Sequence, residues 1–113
     1  MGKESPFACD MTAIPLEKRP AHMAVIQNLF HLVRRVDELP DGYAFSLPSE
    51  TDVLLLAAEF VALERLCCPF FDFRLEVERE GGEVRLILTG REGVKPFIQA
   101  EVGQYVSQIV LAP

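Results

Sequence analysis

From Val53 to Leu66 only Glu59, Glu64 and Arg65 interrupt an apolar run, and the run stops at two adjacent thiols and a proline, Cys67-Cys68-Pro69. Ser49 precedes it as a predicted N-cap, with Asp52 in the capping-box position and Glu50 in the first turn, where the helix dipole favours an acid. Pro69 disfavours helical backbone at Cys68, so the helix is predicted from about Glu50 to Cys67, with Cys68 just outside it. A helix apolar nearly all round is not covered by one sheet face. It must be sandwiched between layers or lie at a subunit interface, and a homodimer is the expectation.

The segments on either side supply the layers. After the Cys-Cys-Pro turn, Phe73, Leu75 and Val77 alternate with Asp72, Arg74, Glu76 and Glu78, the pattern of a half-buried strand. Gly81-Gly82 reads as a two-residue turn, which would set Glu80 opposite Glu83, Glu78 opposite Arg85 and Val77 opposite Leu86 on a return strand over 83–89. Upstream, Val33 to Leu39, Pro40-Asp41-Gly42 and Tyr43 to Leu47 read as a hairpin whose glycine takes positive φ. Tyr43, Phe45 and Leu47 form its buried face, and the charges Arg34, Arg35, Asp37 and Glu38 mark the first strand as an edge.

Helices frame these hairpins. The first starts between Pro15 and Pro20 and carries Met23, Val25, Ile26, Leu29, Phe30 and Val33 on one stripe. His22 lies at the stripe's edge and His31 on the wet side. The last starts at about Pro96 and carries Phe97, Ile98, Val102, Tyr105, Val106, Ile109 and Val110, with Gly103 weakening it. Residues 1–14 form an arm expected to pack back onto the domain. The predicted order is α-ββ-α-ββ-α, an α+β fold with a four-stranded antiparallel sheet and helices packed on its apolar face. Two hairpin-plus-helix units, at 33–67 and 73–111, meet at the Cys-Cys-Pro turn.

A chain of 113 residues, half of them hydrophobic, is one domain spanning 1–113. Its net charge of −6 and scattered basic pairs provide no positive stripe for nucleic acid. No apolar run approaches the roughly 20 residues needed to cross a bilayer, and no leader pattern opens the chain, so a cytoplasmic protein with no membrane partner is expected. Three cysteines, an odd number, argue for reduced thiols over a disulfide framework.

Those thiols carry the functional reading. Cys67, Cys68 and Cys9, with Glu64, Asp10 or His22 as a further ligand, suit a soft metal or metalloid, such as zinc, copper(I) or another thiophilic ion. Glu64 lies four residues before Cys68, on the same helix face. Two alternatives stand beside this one. The cysteines are buried structural residues in a protein-association module, or they do thiol-redox chemistry. The second lacks an evident activator, because a helix C-terminus opposes a thiolate and Arg65 is the only nearby cation in sequence. No catalytic residue is assigned.

Phe7-Ala8-Cys9-Asp10, Leu39-Pro40-Asp41-Gly42-Tyr43-Ala44-Phe45, Glu64 through Phe73 and Leu88-Thr89-Gly90-Arg91-Glu92-Gly93-Val94-Lys95 together resemble a family of small uncharacterised bacterial proteins, over nearly the whole chain. The resemblance implies a bacterial cytoplasmic protein. It carries no assigned activity and no site residue.

Overall fold

Seven regular elements follow one another in the computed structural model, which describes residues 5–106: α1 (Arg19–His31), β1 (Arg35–Leu39), β2 (Gly42–Leu47), α2 (Thr51–Cys67), β3 (Asp72–Val77), β4 (Val84–Thr89) and α3 (Val94–Val102). Two short 3-10 turns, Met11–Ala13 and Leu16–Lys18, precede them. The strands form one antiparallel sheet in the order β1-β2-β4-β3, so the fold is α+β, as the hydrophobic periodicities predict. Among the described residues no helix is long and apolar enough to cross a membrane.

Each predicted hairpin forms, with local differences. Leu39 pairs with Gly42, leaving Pro40 and Asp41 as the turn, and Gly42 is itself a strand residue without positive φ. Glycine is required there for space, because a Cβ would collide with the carbonyl oxygen of Leu88 on β4. In the second hairpin the turn falls one residue earlier than the glycine pair suggests. Glu80 (φ 62°) and Gly81 (φ 71°) occupy its centre, and Gly82 donates to the Arg79 carbonyl at 3.2 Å. Val77 therefore pairs with Val84 and Glu76 with Arg85, two residues off the predicted register. A two-residue shift keeps every side chain on its own face, so hydrophobic alternation tolerates it.

β2 differs from a half-buried strand in being buried at all six positions. On the inner face Tyr43, Phe45 and Leu47 meet Leu88, Leu86 and Val84 of β4. On the outer face Ser46 sits between Arg35 and Arg85, and Ala44 between Asp37 and Ile87, so small side chains are shaded by longer neighbours. Ion pairs cross that outer face, Arg35 with Glu83 at 2.9 Å and Arg85 with Glu76 at 3.6 Å.

α2 buries Val53, Ala57, Phe60, Glu64 and Cys67, alternate spacings of four and three that hold one face against the sheet and α1. Its flanking leucines are partly buried against that core, and Leu55 is 63% exposed. Ser49 is not its cap. Glu50 holds the N-cap place in extended backbone, with its N–H on the Pro48 carbonyl at 3.0 Å, and this puts Val53, which has no side-chain acceptor, in the N3 place of a capping box. α1 carries Pro20 in its first turn, where a missing N–H is harmless. α3 begins two residues before Pro96, after Gly93 at φ 100°, and ends at Gly103. Tyr105 and Val106 follow it in a turn, and Ile109 and Val110 lie outside the described residues.

A line of edge-to-face rings joins the layers, Phe45 to Phe30, Phe30 to Phe60, and Phe60 to Phe73, with centroids 5.3, 5.4 and 6.3 Å apart. Each such pair contributes about 1 kcal/mol beyond its buried area. The line ends at Phe73, the second residue of β3.

Candidate metal centre

The last turn of α2 sets two donors by local geometry. Glu64 and Cys67 are three residues apart on the buried stripe, and the Cys68 N–H still reaches the Glu64 carbonyl at 2.8 Å, although Cys68 has left helical backbone (φ −127°). This single non-helical residue before Pro69 swings its thiol back beside the helix. The two sulfurs lie 3.8 Å apart. Glu64 Oε1 accepts from Cys67 Sγ at 3.5 Å, and Oε2 from Cys68 Sγ at 3.4 Å, so one carboxylate faces both thiols.

The third thiol arrives on the arm. Asp10 donates its N–H to the Cys67 carbonyl at 2.9 Å, satisfying one of the acceptors a helix end leaves free. Phe7 packs edge-on against Phe70 at 5.2 Å beneath the Arg91 guanidinium, anchoring the segment before it. Cys9 Sγ thereby meets Cys68 Sγ, and all three cysteines are free thiols. Donor atoms of Cys9, Glu64, Cys67 and Cys68 all lie within 4.8 Å of one another, a cluster that could hold a metal ion. Cys67 and Cys68 are buried and Cys9 is exposed, so the arm forms the solvent side.

His22 and Asp10 take other parts. His22 is fully buried, stacked on Phe60, and its Nε2 lies 2.8 Å from Glu64 Oε1. It reaches the cluster through the carboxylate, while its Nδ1 has no hydrogen-bond partner among the described residues. The Asp10 carboxylate accepts from the backbone N–H and the hydroxyl of Thr12, capping the first 3-10 turn, and stands outside the cluster. Glu101 of α3, which sequence reasoning passed over, lies 3.5 Å from Cys9 Sγ. Its exposed place on a helix face carries no signal that the arm will come to it.

The charges are arranged unequally. Burial pushes the Glu64 carboxyl up, against the opposing pull of His22. Burial alone would push His22 down, but the Cys67 sulfur and the Glu64 carboxylate outweigh it and hold the imidazole up to about 9. The neighbouring thiols of Cys68 and Cys9 hold Cys67 far below its ordinary range, while both of those thiols are raised. His22, supplied from α1, adds to the lowering of Cys67.

Three sulfurs and a carboxylate gathered at the negative end of a helix form a cluster that could hold a metal ion. In comparisons with known proteins, no family model, curated protein or solved structure matches the chain.

Proposed function

We propose that this protein binds a soft metal or metalloid ion through the thiolates of Cys9, Cys67 and Cys68, with Glu64 as the oxygen donor. The observation that carries the reading is the convergence of these four donors from the arm and from α2 within 4.8 Å. Thiolate donors select zinc, copper(I) and related thiophilic ions over the oxygen-seeking magnesium and calcium. His22 would fix the orientation of Glu64, as outer hydrogen-bond partners of metal ligands do. The test is elemental analysis of protein purified under reducing, chelator-free conditions, with thiol titration before and after unfolding. Near one zinc or copper per chain, with thiols masked until unfolding and uptake lost in Cys68→Ser, is the expected result. Metal-free protein that takes up no thiophilic ion when titrated would overturn the reading.

A second reading is favoured by the apposition of the Cys9 and Cys68 thiols, which the fold brings together from 59 residues apart. A small disulfide such as oxidised glutathione would accept two electrons and two protons from the pair, closing a Cys9–Cys68 disulfide and leaving two reduced small thiols. One titratable thiol remaining, Cys67, after such treatment is the outcome that separates this chemistry from metal binding.

A further inference from the structure

Beside the thiols lies a cavity of about 200 Å³. Cys9, Glu64 and Cys67 form part of its wall, and most of the rest is apolar, including Met23, Ile26, Phe30, Phe60 and Phe71. Cys68 is not among the lining residues, so two of the three cysteines, Cys9 and Cys67, line the space. A bare ion needs only the donor cluster. It has no use for an aromatic chamber next to it, and nothing in the coordination of zinc calls for one.

We infer that the site takes a monoorganyl soft metalloid, R–As(III) or an ion of like chemistry, held by Cys9 and Cys67 with its organic group R seated in the cavity among Ile26, Phe30, Phe60 and Phe71. The inference rests on the thiol-site reading above and names its ligand class. The size agrees, because a dry cavity of about 150 Å³ lined by leucine, isoleucine and phenylalanine is enough for benzene. The number of donors agrees as well. A trivalent arsenic that carries one carbon has two valences left for sulfur, and the sulfurs of the two lining cysteines lie within 4.8 Å of each other. Met23, 40% exposed, stands at the rim where R would enter.

With phenylarsine oxide as the probe the step balances without an oxidant. Two As–S bonds form, the arsenic–oxygen bond breaks, and both thiol protons leave in one water molecule. Arsenic stays trivalent and its carbon bond stays intact.

The experiment measures binding of phenylarsine oxide and of methylarsonous acid to the reduced protein, each in competition with a small vicinal dithiol that cancels the intrinsic As–S strengths. The expected result is a preference of at least tenfold for the phenyl compound, reduced to near unity in Met23→Trp or in Ile26→Phe, which narrow the cavity, with methyl binding kept. Equal binding of both probes by the native protein would overturn the inference and leave the thiol site standing. Loss of both, with arsenite and zinc also unbound, would overturn the thiol site itself. A phenyl preference that survives both cavity variants would place the organic group elsewhere and overturn the assignment to this chamber.

Discussion

The Nε2 of His22 and the Oε1 of Glu64 lie 2.8 Å apart, joining α1 to α2 in a core from which His22 is wholly shielded from solvent. A carboxylate in that position stands only with a partner, and the pair at once ties two helices together and aims the free oxygen of Glu64 at Cys68.

Removing one partner leaves the other buried alone. His22→Phe is expected to destabilise the metal-free protein by about 3 kcal/mol or more, and His22→Phe with Glu64→Leu by less than the two single changes combined. Urea unfolding of the four proteins in the cycle checks this, and strict additivity would refute the coupling. His22→Gln is expected to weaken zinc binding about 10–100-fold without changing its stoichiometry.

The same pair carries a pH signature. The unfolded chain releases its imidazole proton at about pH 6.5, whereas His22 in the fold is held up to about 9. Between those values the folded state binds more protons, so the contribution of His22 to stability is full at low pH and is lost as pH rises through about 9. Cys67 acts in the opposite direction, since its folded thiol is lowered while the unfolded thiol keeps its proton to about pH 8.5. The unfolding free energy of the metal-free protein is expected to be nearly level between about pH 6.5 and 8.5, and to rise with pH over that range in His22→Gln, where only the lowered Cys67 thiol remains. Denaturant midpoints across that range decide it; parallel profiles for the two proteins would count against the arrangement.

The hairpin turn offers a stabilising change. Glu80 sits at φ 62°, where an L-residue other than asparagine or aspartate is strained. Glu80→Asn would place asparagine directly before Gly81, the preferred pair for a primed turn, and is expected to add about 0.5–1 kcal/mol to stability, read as a rise in the urea midpoint at constant slope.

Gly42→Ala should do the reverse. A methyl group there meets the Leu88 carbonyl between the two central strands, and with backbone on both sides neither can give. Loss of the cooperative unfolding transition, or of soluble protein, is expected. Gly81→Ala, with open space around it, is expected to cost only about 1–2 kcal/mol for its positive φ.

The element order, the facing of β2 and β3 and the end of α2 at Cys67 were legible in the chain, because periodicity, glycine placement and the constraint of Pro69 on Cys68 act within a few residues. The same local chemistry placed Glu64, Cys67 and Cys68 together. It did not resolve the turn at Glu80-Gly81 from one at Gly81-Gly82, since both keep the apolar side chains on one face. Nor did it show that Ser46 and Ala44 are buried, which depends on the long side chains of neighbouring strands. What only the tertiary structure decided is the completion of the site. Cys9 meets Cys68 across 59 residues and His22 meets Glu64 across 42, and both contacts exist because an arm pinned to the Cys67 carbonyl and a helix packed on Phe60 bring them there. Such distances along the chain leave no trace in local pattern, because the forces that close them belong to the packed core as a whole.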